Sequence, residues 1–350
     1  MSVNSPLASQ PAPQAHPADS VVIELGAVIV GVAGGQPRVL VVRRPDADGA
    51  APEASLPAGR FDPSAHRTLE EGLRASVAEA TAQRVGYVEQ LYTFGDRGRY
   101  PAGRGAGRRV VSVGYLALTG PPKASPDADS AWDDWYRYFP WEDWRLGRPA
   151  ALDEAILPAM EDWAAAAPDI RDRDMRRERI ALCFGAEGAA PDEEKVLERY
   201  ELLYEAGLVA EAARDRRSEE GAGEADAEAG EARFPAVAFG EPMRFDHRRI
   251  LATAMGRLRG KLKYRPVVFE LMPPAFTLLS LQRTVEAVAG VHLHKQNFRR
   301  LVEQGGLVER TGKQVAQGAG RPAEQFRFRS EVFRERPAPG VRLPSRRARG

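Results

Sequence analysis

The stretch FTLLSLQRTVEAVAGVHLHKQNFRRLVEQGGLVERT, Phe276–Thr311, decides how this 350-residue chain is to be read. Leu278, Leu281, Val285 and Val288 recur at the spacing of one face of a helix. Thr277 precedes them as an N-cap, whose hydroxyl accepts a hydrogen bond from an N–H that the first turn leaves unbonded. GVHLH interrupts the pattern, and a second helix starts at Lys295. It buries Phe298, Leu301 and Val302, which leaves Lys295, Gln296, Asn297, Arg299 and Arg300 on its outer side. After GG come LVERT, a glycine-rich loop and EQFRFRS, two strands with a tip between them. Helix, turn, helix and wing is the order of a winged helix-turn-helix.

That motif lays the N-terminal half of its second helix in the major groove. Arg, Asn and Gln are the residue types that pair bidentately with guanine or adenine edges. Lys313 and Arg321 fall in the wing. Arg321, between Gly320 and Pro322, resembles arms that lie in the minor groove. Together with Thr277 these form the expected DNA-contact set, and a double-stranded operator is the expected partner.

The charge distribution agrees. The net charge is +1, but residues 241–350 carry 23 Lys+Arg against 9 Asp+Glu, while the first 240 carry 27 against 40. A cationic end joined to an acidic remainder points to a polyanionic partner. The single cysteine, Cys183, excludes a disulfide within the chain and a thiolate zinc site. The first twenty residues lack the basic start and apolar run of a secretory leader. With no run of 18 apolar residues either, a cytoplasmic location without a membrane partner is expected.

Composition and element order divide the chain into a disordered tail (1–18), a front domain (19–150), a helical insert (151–213), a flexible acidic linker (214–235), the winged helix (236–335) and a basic disordered tail (336–350). In the front domain VVIELGAVIVGV (Val21–Val32) and RVLVVRR (Arg38–Arg44) read as a hairpin turned at GGQP. A helix follows from Thr68 to Thr81, with Glu70 and Glu71 in its first turn, where the helix dipole favours them. YVEQLYTF and RRVVSVGYLALT are further strands. Residues 131–148 hold four of the five tryptophans, and either a dimer contact or a lid would explain them.

Hairpin, LPAG, acid-started helix and two strands resemble the Nudix fold. The resemblance implies an α+β protein: a Nudix-like α/β/α sandwich, a helical insert and a C-terminal winged helix-turn-helix domain. The Nudix signature helix carries an arginine and several glutamates that hold divalent metal at a pyrophosphate. With Gly59 as the signature glycine, Ala75 stands at the arginine position and Ser76 and Ala80 stand at two glutamate positions, while Glu79 alone remains. The resemblance therefore implies a non-enzyme, with no catalytic residue, metal or cofactor. Glu70, Glu71 and Glu89 are the carboxylates that an active pyrophosphatase would have to recruit instead.

A ligand site can outlast its chemistry. Arg60, Tyr92, Phe94, Asp96, Arg97, Arg99, Arg108 and Arg109 form the expected ligand set, with aromatics to stack on adenine and arginines to grip a diphosphate. On residues alone, Tyr92 and Phe94 serve equally well as core. QLYTFGD and GRRVVSVGYLAL, with FDHRRILATAMGRLRGKLKY, FELMPPAFTLLSLQ and NFRRLVEQGGLVERTG, are similar to the Nudix-related transcriptional regulators of NAD metabolism. That likeness implies a homodimeric repressor whose effector is an NAD-derived metabolite such as ADP-ribose. Two other readings stay open at this point: an active ADP-ribose pyrophosphatase with a DNA-binding tail, and a DNA-binding module on a plain oligomerisation scaffold.

Overall fold

The computed structural model describes residues 21–44, 52–81, 85–95, 109–123, 128–185, 191–219, 234–316 and 322–332. Among them β1 (Val21–Ala33), β2 (Gln36–Val42), β3 (Ala58–Arg60), β4 (Val88–Phe94), β5 (Arg109–Leu118) and β6 (Ser130–Asp134) form one sheet of order β4-β5-β1-β2-β6, with β3 paired to the first half of β1. β1 and β5 run parallel from Val21↔Arg109 to Val30↔Leu118. A parallel pair needs cover on both faces, and its strands accordingly read as continuous apolar runs.

Strand alternation sorts these residues into two cores. Leu25, Ala27, Ile29, Leu40, Val113, Tyr115 and Ala117 meet Leu73 and Val77 of α1 (Leu69–Thr81). Val28, Val30, Val39, Val41, Leu116 and Leu118 face the other way, into a larger core shared with α6 (His247–Tyr264) and α7 (Leu278–Ala289). The second helical layer of the front sandwich is thus α6, which the sequence assigns to the C-terminal domain.

α1 starts with a capping box: the Thr68 hydroxyl accepts from the Glu71 N–H at 3.1 Å, and the Glu71 carboxylate accepts from the Thr68 N–H at 3.2 Å. Between α1 and α6 a π turn (Leu152–Ile156) leads into α2 (Leu157–Ala165), followed by α3 (Ile170–Phe184), α4 (Val196–Glu205) and α5 (Ala210–Glu219). α5 runs into the stretch expected as linker. Arg214 on it donates to the carbonyls of Met243 (3.1 Å) and Phe245, so charge here reflects a half-buried helix side rather than a loose tether. Residues 220–233 and both expected tails lie outside the described residues.

The tryptophan-rich segment is neither lid nor outer surface. β6 closes the sheet edge against β2, pairing Trp132 with Leu40, and the following turns bury Trp135 and Trp141. At their centre Glu142, 2% exposed, accepts from Arg199 of α4 (2.5 and 3.0 Å) and Arg259 of α6 (2.5 Å). Burial alone would raise the Glu142 carboxyl; the two guanidiniums outweigh it and hold it below its ordinary value of 4.5. Nearby, Arg248 pairs with Glu211 and sits among the rings of Phe139, Trp141 and Tyr200 at 5.3–5.5 Å. Sheet, insert and C-terminal helices share one interior.

Candidate nucleic-acid interface and the inter-domain cleft

α7 opens with Thr277 as its N-cap: its hydroxyl accepts from the Ser280 N–H at 3.1 Å. Thr277 is 4% exposed: its hydroxyl caps the helix, and the residue lines the groove described below. α7 ends at Gly290, left-handed at φ 67°. A Cβ there would fall 2.5 Å from the Glu142 carbonyl and 2.8 Å from the Tyr136 hydroxyl, so only glycine fits. The front half holds this helix end directly. Tyr136 donates its O–H to the Ala287 carbonyl at 2.8 Å, Arg259 donates to that of Val288 at 3.1 Å, and the Trp144 N–H donates to that of Gly290 at 2.8 Å. These satisfy carbonyls that a helix end leaves without intrahelical partners.

The turn into α8 (Lys295–Gln304) is set by two side chains. The Glu286 carboxylate accepts from the Leu293 N–H at 2.8 Å, and the Gln282 amide donates to the Leu293 carbonyl at 2.8 Å. Phe298 and Val302 are buried and Leu301 is half-buried, while Lys295, Gln296, Asn297, Arg299 and Arg300 are all exposed. β7 (Val308–Val315) and β8 (Ala323–Phe328) form the wing, which Phe276 joins by two backbone bonds to Phe326. α8, the start of α7 and the wing enclose an open groove of about 670 Å3, to which Lys295, Arg299, Arg310 and Gln314 contribute. Lys313 is exposed on β7; Arg321 lies outside the described residues. The sequence missed Arg310, which stands behind Glu324 at 3.4 Å.

In the front half Gly59 of β3 faces α1 so closely that a Cβ would meet the Ser76 hydroxyl oxygen at 2.6 Å. Glu79 is exposed on the same helix. The carboxylates that would replace the signature set are engaged elsewhere. Glu70 pairs with Arg74 at 2.9 Å, Glu71 caps α1, and Glu89 meets Lys261 at 3.1 Å and the Tyr87 hydroxyl at 2.8 Å. Among the described residues no three His, Cys, Asp or Glu gather into a metal-sized group.

Of the expected ligand set, the described side chains are those of Arg60, Tyr92 and Phe94, and Tyr92 and Phe94 do not share a face. The register of β4 shifts between Gln90 and Thr93, which breaks strict alternation. Tyr92 is 64% exposed, whereas Phe94 is 5% exposed and packs beside Gly114 in the core under α6, so it offers no ring to a ligand. Arg60 is exposed on β3. Asp96, Arg97, Arg99 and Arg108 lie outside the described residues, as does the Arg109 side chain.

A different concavity is present. Residues 54–57 fill the gap where β2 diverges from β1, with the Ala27 N–H on the Pro57 carbonyl and the Val42 N–H on that of Ser55, both at 2.8 Å. The approach to α6 runs beside them: the Arg244 N–H donates to the Ala54 carbonyl at 2.8 Å, and His247 Nδ1 accepts from the Leu56 N–H at 2.9 Å. A cleft of about 240 Å3 opens along this strip, with Glu24, Arg44, Arg244, Phe245 and His247 in its walls. Phe245 is the one non-glycine residue with positive φ (55°) among the described residues, a conformation that costs roughly 1–3 kcal/mol and persists only where the surroundings impose it. No sequence signal marks this site, because its walls come from strand ends and a helix lead-in far apart along the chain.

Residues 268–328 match the family model of the NrtR DNA-binding winged helix domain. The ADPR responsive transcriptional repressor NtrR of Acinetobacter baylyi is 42% identical over 84 residues, covering 24% of this chain and 33% of that protein. The match thus spans about a third of that relative's length. In fold the chain resembles Shewanella oneidensis NrtR complexed with a 27mer DNA, at 21% identity and a TM-score of 0.51 over 89% of this chain and 94% of that one. A second crystal structure of Shewanella oneidensis NrtR gives 21% identity and a TM-score of 0.50 over 89% and 95%. The chain thus shares the fold of these structures, a Nudix-like front half joined to a winged helix that matches the NrtR-type domain.

Proposed function

We propose that this protein is a DNA-binding transcriptional repressor of NAD-metabolism genes, which senses an NAD-derived metabolite, ADP-ribose first of all, through a Nudix-like half that no longer hydrolyses it. The observation that carries the reading is the outer face of α8, where Lys295, Gln296, Asn297, Arg299 and Arg300 are exposed beside the wing. These groups have the chemistry for base edges and phosphates. The name of the Acinetobacter relative supports both the repressor role and ADP-ribose as effector. Ala75, Ser76 and Ala80 at signature positions, and the partners held by Glu70, Glu71 and Glu89, support binding without turnover. The protein works as a homodimer on half-sites about one helical turn apart.

A ligand controls DNA occupancy only through different affinities for the DNA-competent and DNA-free states. Operator sites selected from a random DNA pool, titrated with protein with and without ADP-ribose, test this. Salt-sensitive, sequence-selective binding that ADP-ribose weakens is expected. Absence of selective DNA binding overturns the regulator reading. AMP release on incubation with ADP-ribose and Mg2+ overturns the loss of hydrolysis.

A further inference from the structure

We infer, on the DNA-binding role proposed above, that Glu303 is a specificity-determining residue of the interface: its carboxylate stops a duplex from sliding along α8. Helix positions two apart lie nearly opposite each other, at about 100° per residue. Gln296 and Arg300 therefore stand opposite the buried Phe298 and Val302 and are the outermost side chains of α8. Lys295, Arg299 and Glu303 follow one another at steps of four, a separate line along one flank of the helix. The groove makes the same division. Lys295, Arg299 and Glu303 line it beside the wing, and Gln296 and Arg300 do not.

The two lines meet different parts of a duplex. A helix with its side chains is roughly 10–12 Å across, and the major groove is about 12 Å wide. The outermost positions then meet base edges, and a flank meets the sugar–phosphate strand that borders the groove. Charge along this flank changes sign. Lys295 and Arg299 are cations and Glu303 is an anion, all three exposed and without an ion pair among the described residues. Across the groove Arg310 and Glu324 stand 3.4 Å apart and offset each other, which leaves the α8 flank to set the field. Glu303 also lies in the last turn of α8, where the helix dipole disfavours an anion, so its charge brings the fold no stability. A phosphate strand is attracted over the first two members of the line and repelled at the third. Successive members are about 6 Å apart along the axis. A duplex shifted by that distance toward the end of α8 exchanges Arg299 for Glu303, at a range too short for salt to screen. Phosphate contacts alone carry no sequence information and hold neighbouring registers equally well. The carboxylate makes them position-dependent, which confines Gln296 and Arg300 to one register on the bases.

The test uses the full chain, an operator duplex selected from a random pool, and a scrambled duplex of the same length and composition. Each is titrated by fluorescence anisotropy at several salt concentrations. Glu303→Gln keeps the size of the side chain and removes its charge. It is expected to raise affinity for the scrambled duplex about fivefold and for the operator by no more than about twofold, so that selectivity falls. Lys295→Ala and Arg299→Ala are expected to weaken both duplexes alike and to lower the salt slope by about one each. All three positions are exposed, and a thermal melt checks that the variants fold as wild type does. Unchanged affinity of Glu303→Gln for the scrambled duplex, or an equal gain on both duplexes, overturns the stop. Weaker operator binding in that variant overturns it as well and assigns the carboxylate to a base amino group instead. Loss of operator binding alone in Lys295→Ala and Arg299→Ala overturns the phosphate line. A wild type that prefers no sequence overturns the regulator reading before any variant is compared, and the stop falls with it.

Discussion

The tryptophan-rich segment and α8 are both contact-making elements, and they face opposite ways. Between Ser130 and Arg148 the large rings turn inward, and the central carboxylate, Glu142, is enclosed by two arginines from other elements. On α8 two apolar side chains are buried, and the cations stand in solvent with no role in the core. A buried charge must be paired for the chain to fold at all, whereas a surface cation is indifferent to folding and available to a partner. Stability and recognition are thereby placed on different residues, and variants should separate them.

The largest effect is expected at Glu142. Glu142→Ala leaves two buried guanidiniums without their carboxylate and should cost about 3–5 kcal/mol of stability. Denaturant unfolding measures it, and a cost below about 1 kcal/mol would show that the triad has no such role. Acid provides the same test without mutation. Because the folded Glu142 carboxyl lies below 4.5, its contribution is fully present above that pH and is lost as pH falls through the folded value. The wild type should therefore weaken below pH 4.5 with a slope component that Glu142→Ala lacks.

A smaller effect, on the other side of the comparison, is expected at Arg300. Arg300→Ala should weaken operator binding by about 1–3 kcal/mol if it reads a base, with stability changed by no more than about 0.5 kcal/mol. A gel-shift titration and a thermal melt on one preparation check both numbers, and an unchanged affinity removes Arg300 from the readout. The smallest effect belongs to Glu79. As an exposed helix residue, its change to Ala should move stability by less than about 0.5 kcal/mol in a thermal melt.

How much was legible depended on whether a residue's role is set locally. α7 and α8 were readable because period, cap and terminal glycine all act within a few residues of one another. The hairpin and α1 were readable for the same reason. The tryptophan segment carries no helical or strand period, since its rings fill gaps between three separate elements. Phe94 stood open between ligand and core because a single register shift in β4, which puts it in the core while Tyr92 stays exposed, leaves no mark on the sequence period. The end of α5 was misread because its charges are engaged by carbonyls of residues 243 and 245. The cleft beside residues 54–57 was invisible because its walls come from strand ends and a helix lead-in far apart along the chain.

The bond from Trp144 to the Gly290 carbonyl runs main chain to main chain, so no exchange of side chains deletes it. The winged helix is in that sense not portable. A graft of residues 268–328 onto a foreign partner would arrive with bare carbonyls at the end of α7, where Tyr136, Arg259 and Trp144 had been. Chimeras that carry residues 130–148 and α6 along with the reader should fold; those cut at the domain boundary should precipitate.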